Sequence, residues 1–175
     1  MKRITGIAIL SVLMACNPSE QKTSQLKDST QTDTLAQHAP VIKDQKRAGV
    51  FTAYENLKND LVKSDSAAAQ KSAASLQSHL ADLEGCELTA RIAAKIAENN
   101  SLVHQRKEFT TLSADVIALF KSTEIEQGTL YIQHCPMANK GDGGDWLSSA
   151  KEIRNPYYGN EMLECGRVTE EIKSK

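Results

Sequence analysis

Aromatic residues are scarce in this chain, three Phe, four Tyr and one Trp among 175 residues, so a core must rest on aliphatic side chains and a few well-placed rings. Long apolar runs are scarcer still. The one run near the start, Ile4 to Ala15 interrupted by Thr5, Gly6 and Ser11, is shorter than the roughly 20 residues a helix needs to cross the hydrocarbon core. No basic run or basic-aromatic stripe occurs, and 21 basic residues face 22 acidic ones, which gives a nucleic-acid partner nothing to hold. The chain also lacks a C-x-x-C pair, a G-x-S-x-G turn, a P-loop and a zinc-protease helix. These absences argue against an enzyme.

What the first residues do contain is an address. Lys2 and Arg3 precede the apolar run, and Leu13-Met14-Ala15-Cys16 follows it, the form of a secretory signal that ends in a lipobox. Residues 1–15 are expected to be removed on export and Cys16 to carry lipid; plain secretion is the alternative. Two or more acyl chains give stable anchoring, each buried methylene adding about 0.8 kcal/mol, so the expected partner here is a membrane. Loss of Lys2 and Arg3 takes the basic count from 21 to 19 against 22 acidic residues, net −3. Residues 16–45 are rich in Ser, Thr, Gln, Asp and Lys and read as a lipidated flexible tether. By resemblance to lipoprotein sorting signals, Asn17 in place of Asp points to the outer membrane of a bacterial envelope, facing the periplasm.

Residues 46–175 have the size of one domain. Phe51, Tyr54, Leu57 and Leu61 recur at helical spacing, as do Ala69, Ala73, Leu76, Leu80 and Leu83, with Ser64 or Asp65 as a cap and Gly85 past the end. Leu88, Ile92 and Ile96 predict a third helix stopping at Asn99-Asn100. Ser101 caps a fourth, which carries Leu102, Phe109, Leu112, Val116, Leu119 and Phe120 to about Lys121. The expected fold is mainly α, an up-and-down bundle of three or four helices with a small β or irregular C-terminal hook over residues 128–172. Within it Thr129 to Ile132 is strand-like, Ser149 and Glu152 suit a capping box, and Met162 to Ile172 suits a second strand.

The chemistry concentrates in the hook. His134, Cys135, Met137, Met162 and Cys165 lie within 32 residues, together with the only Trp, Trp146. Thiols and thioethers in one set favour a soft metal over calcium or magnesium, and copper(I) is the metal they suit best. If the chain is extended from His134 to Met137, Cys135 and Met137 share a face and His134 points the other way. Met162 and Cys165 meet only on a turn. Cys135, Met137 and Cys165 form the preferred ligand set, Met162 and His134 are conditional, and Trp146 is either the shield of the site or the plug that packs the hook. Export also makes a Cys135–Cys165 disulfide an open alternative, and simple packing of the two thiols is another. Cys86, following Gly85 between two helical segments, is read as a non-ligand.

Leu130-Tyr131-Ile132-Gln133-His134-Cys135-Pro136-Met137, Gly144-Asp145-Trp146-Leu147, Ile153-Arg154-Asn155-Pro156-Tyr157-Tyr158-Gly159 and Met162-Leu163-Glu164-Cys165-Gly166 together resemble an uncharacterised helical domain family. That domain is found alone in envelope lipoproteins and fused to periplasmic adaptor subunits of CusB-type heavy-metal efflux systems. The resemblance covers about Val50 to Ile172, with Arg106, Phe109 and Ser113 fitting its last helix. It implies a periplasmic, copper-related setting and a heavy-metal efflux adaptor or other envelope protein as partner. The expected function is therefore a lipoprotein that binds copper(I) for buffering or delivery. The alternative is a metal-free envelope interaction module with a packed or stapled hook.

Overall fold

The computed structural model describes residues 39–174; the expected leader, the expected lipid site at Cys16 and the expected tether as far as His38 lie outside them. Four helices follow one another, α1 (Gln45–Val62), α2 (Ser66–Ala81), α3 (Glu87–Ala97) and α4 (Leu102–Lys121). Side chains cap three of them, and two of the caps, Asp65 and Ser101, are those the sequence suggests. Asp44 accepts from the Lys46 and Arg47 N–H groups, Asp65 from Ala68, and Ser101 from His104, satisfying donors that a helix start leaves without partners. Each helix packs on the next along the chain. The fold is mainly α with a small β part at the C-terminal end, as the periodicity predicts.

Burial follows the predicted faces in α1, α2 and α4, where Tyr54, Leu57, Leu61, Ala69, Ala73, Leu76, Leu80, Phe109, Leu112, Val116 and Phe120 are inaccessible or nearly so. Helix α3 departs from expectation. Leu88 is 71 % exposed, while Ala90, Ala93 and Ile96 form the buried face. The helix is rotated so that two alanines, rather than a leucine, join Ala69 and Ala73 in the core.

The chain preceding α1 is also paired. Strand β1 (Val41–Ile42), in the segment whose composition reads as tether, lies antiparallel to β2 (Ile125–Gln127), and Ile42 is buried in the core. Beyond Gly128 come β3 (Thr129–Cys135), β4 (Gly144–Ser148) and β5 (Arg167–Lys173), a three-stranded antiparallel sheet with β3 in the middle. The strand expected over Met162 to Ile172 thus begins only at Arg167, as β5, because Met162 to Cys165 is folded as a turn. No helical turn forms over Ser149 to Glu152. The carbonyls of Ala150, Lys151 and Glu152 instead converge on the buried Gln133 Nε2 at 2.9, 3.2 and 3.2 Å, a convergence a helical turn would not allow.

The sheet is fastened to the bundle through α1 and α4. The Tyr54 hydroxyl lies 2.7 Å from Ser113 Oγ and accepts the Leu147 N–H at 3.1 Å. Burial pushes this phenol far above its usual range, so it stays protonated and can donate to Ser113 while accepting from β4. Its ring stacks on Phe109, Phe109 meets Tyr157 edge-on, and Tyr157 meets Trp146 edge-on. A second fastening lies one turn along α1. Lys58 Nζ bonds Glu55 Oε1 at 2.8 Å and Ser148 Oγ at 3.2 Å, and the same Glu55 oxygen accepts the Ser149 N–H.

Replacing Tyr54 by Phe keeps the ring and removes the hydroxyl, leaving the Leu147 N–H and Ser113 Oγ buried without it. The expected loss is roughly 1–3 kcal/mol, read as a lower urea midpoint with an unchanged slope and unchanged helical circular dichroism.

Candidate functional site in the C-terminal hook

Cys135 closes β3 and is buried, whereas Cys165 sits in the turn before β5 and is partly exposed. Their sulfurs are 3.0 Å apart, and either thiol can donate to the other. That hydrogen bond is the largest influence raising the Cys165 pKa, with burial adding to it; a backbone N–H from Met137 pulls the other way. A disulfide needs about 2.05 Å between sulfurs. Two sulfurs on one tetrahedral metal, each about 2.3 Å from it, lie roughly 3.8 Å apart. The observed separation falls between, so side-chain movements of about 1 Å reach either state.

The methionines flank this pair. β3 ends at Cys135, and Met137 has helical backbone angles at the start of a short 3-10 turn, Ala138–Gly141. The extended run from His134 to Met137 therefore stops one residue short of Pro136, and it is the Met137 N–H, rather than a shared strand face, that brings this residue to Cys165. On the other side the Cys165 N–H donates to the Met162 carbonyl at 3.0 Å, so these two residues do share a turn. Met137 and Met162 are 52 % and 36 % exposed, which leaves both thioether residues at the rim where a partner could approach.

His134 belongs to the other face of β3. It pairs across the sheet with Asp145, and its Nδ1 lies 2.8 Å from Asp145 Oδ1. The structure brings together Cys135, Cys165 and the two methionine-bearing turns, and leaves His134 outside that group. No cluster of three or more His, Cys, Asp or Glu residues suited to a metal occurs among the described residues, so a soft metal here would depend on thioethers as well as the two thiols. Cys86 stands apart at the start of α3. Its charged surroundings are Glu87, Arg47 and Asp115, and burial is the main influence raising its pKa.

Trp146 is a buried plug. Fully buried in β4, it pairs in register with Gln133, two residues before Cys135 and on the same face. Gly166, next to Cys165, has φ +147°, and a Cβ there would lie 2.9 Å from the His134 carbonyl oxygen and 3.0 Å from Trp146 Cη2. Only bare backbone fits between β3 and the indole, and that fit holds the Cys165 turn against the end of β3.

Three further residues position the pair. Asn155 is fully buried; its Nδ2 donates to the Cys165 carbonyl at 3.2 Å and its Oδ1 accepts the Tyr157 N–H at 2.8 Å. Its own N–H reaches Leu163 O at 2.8 Å, and its carbonyl accepts from Gly159. Arg106 of α4 anchors the same loop to the helices, donating to Pro156 O at 2.9 Å, to Leu61 O at 3.1 Å and to Ser64 Oγ at 2.9 Å. Gly159, at φ +59°, is where the loop touches the end of α1: a Cβ would lie 2.6 Å from Ser64 Oγ and 2.7 Å from Val62 O. The Asn-Pro-Tyr-Tyr-Gly run is thus a scaffold for Cys165. Turn chemistry signals it in the sequence, but its target is legible only once the loop is folded.

Asn155→Ala removes both side-chain bonds at a fully buried position. We expect a loss of about 1–3 kcal/mol and, in the folded variant, a several-fold drop in the rate at which a short bifunctional thiol reagent links Cys135 to Cys165, measured by peptide mapping.

Comparison with known proteins bears on the helices. Residues 50–128, from the second turn of α1 through β2, match the model of a family described as a protein of unknown function (DUF3347). No curated protein and no solved structure matches the chain. The matched segment ends where the hook begins, at Gly128. Over residues 50–128, its helical part, the chain is similar to the DUF3347 family of unknown function.

Proposed function

We propose that this chain is a lipid-anchored, periplasm-facing envelope protein whose hook binds a soft metal, copper(I), to buffer it or deliver it to a heavy-metal efflux partner. The observation that carries the reading is the meeting of two thiols, from the end of β3 and the turn before β5, at 3.0 Å. The donor chemistry fits a soft monovalent cation, since thiolate and thioether ligands select copper(I) over oxygen-loving metals. Cys135 and Cys165 supply the thiolates. Met137 and Met162 supply thioethers at the exposed rim, and His134, held by Asp145 on the opposite face, takes no part.

Each residue has a defined task. The two cysteines must shed their protons as metal enters, so binding releases protons and weakens on acidification. Asn155 fixes the Cys165 carbonyl, while Arg106 and the aromatic series from Tyr54 to Trp146 hold the loop on the bundle. The ligand pair is therefore largely assembled before metal arrives, which reduces the ordering entropy that binding must overcome. The exposed methionines offer soft donors to an incoming partner, the arrangement that hand-over requires.

Anaerobic titration of the reduced full-length chain with copper(I) against a competing chelator tests the reading. One equivalent should bind, with affinity falling at least about hundredfold in Cys135→Ser and in Cys165→Ser, and remaining unchanged in Cys86→Ser. Equal affinity in all four proteins would overturn it.

A further inference from the structure

The two thiols differ in one respect that metal binding does not use. Cys135 is buried at the end of the central strand, whereas Cys165 is partly exposed on a turn. A solvent-borne reagent therefore finds Cys165 the more accessible of the two residues. We infer that the pair is a two-electron redox gate, in which Cys165 exchanges with an external disulfide and Cys135 resolves the mixed disulfide.

Two exchange steps complete the chemistry. The Cys165 thiolate attacks one sulfur of a donor disulfide, either a small-molecule disulfide or that of a thiol oxidase; a Cys165–donor S–S bond forms and the donor's own S–S bond breaks, releasing one donor thiolate. Cys135 Sγ, 3.0 Å away, then gives up its proton and attacks Cys165 Sγ, forming the Cys135–Cys165 bond and releasing the second donor thiolate. Two electrons leave the cysteines, the donor disulfide is reduced to two thiols, and the two cysteine protons end on them. No large rearrangement is needed, because the sulfurs already lie within about 1 Å of bonding distance. The neighbours assist: Asn155 holds Cys165 by its carbonyl, and Gly166 is packed against the β3 backbone, so the mixed disulfide forms beside its resolving thiol.

Oxidation would remove both thiolates and so close the metal site, with the hook covalently fastened to itself. This coupling to copper rests on the copper(I) reading above; the exchange chemistry does not.

The test is incubation of the reduced full-length chain with glutathione disulfide under anaerobic conditions, followed by acid quenching, alkylation, intact mass measurement and peptide mapping. The wild type should form the Cys135–Cys165 disulfide without accumulating a glutathione adduct. Cys135→Ser should trap glutathione on Cys165, at least about tenfold faster than Cys165→Ser acquires it on Cys135. Circular dichroism of both variants, and a Cys135→Ala form, separates slow exchange from unfolding. Adduct formation at equal rates on the two cysteines, or a stable adduct on Cys165 beside a free Cys135 in the wild type, would overturn the gate. Copper(I) titration of the oxidised and reduced forms then separates the two readings. Binding to both forms would refute the coupling alone, whereas a functioning exchange with binding to neither would refute the copper reading and leave the exchange standing.

Discussion

One phenol in the middle of α1 joins the two halves of this molecule. Tyr54 is fully buried, its ring lies flat on Phe109 of α4, and its hydroxyl spans from Ser113 to the backbone of β4. Burial of a tyrosine is tolerable only when the hydroxyl is satisfied, and here one of its partners belongs to the sheet. This buried hydroxyl therefore has both of its partners only when the hook is docked. Helical packing and hook position are in this way made interdependent, and the aromatic contacts continue through Tyr157 to Trp146.

From that attachment the placement of the thiols follows by short steps. Trp146 lies on the face of the sheet shared with Gln133 and Cys135, and the indole leaves room only for a glycine beside Cys165. Asn155 ties the intervening loop to Cys165, and Arg106 ties it to α4. Most of the hook's unusual residues thus serve position. The sulfurs are where chemistry can occur, because the Asn, Pro, Tyr and Gly residues around them have been spent on geometry.

The helices were legible because their signal is local. A 3.6-residue period of aliphatics, a Ser or Asp cap and a following Gly are each read within a few residues, and three of four apolar faces came out as the periodicity predicts. Leu88 misleads because α3 turns its alanines inward, and a large side chain outweighs an Ala in any periodic reading. The hook was legible in its chemistry and opaque in its pairing. Strand β4 begins in a Gly-Gly-Asp stretch that reads as loop, and it becomes a strand only by pairing with β3, a non-local interaction. Asn155 was visible as a turn former, yet its bond to Cys165 depends on a loop closing over ten residues. His134 could be set apart from Cys135 by strand alternation, but its link to Asp145 needed the register.

The claim on which the account turns is that the fold offers sulfur, and only sulfur, to a soft metal at the Cys135–Cys165 pair. X-ray absorption at the copper edge of the full-length chain loaded with one equivalent of copper(I) addresses it directly. The account predicts a ligand shell made of sulfur alone, unchanged in a His134→Ala variant. Nitrogen or oxygen scatterers in that shell, or a shell unaltered when Cys165 is replaced by serine, would contradict it.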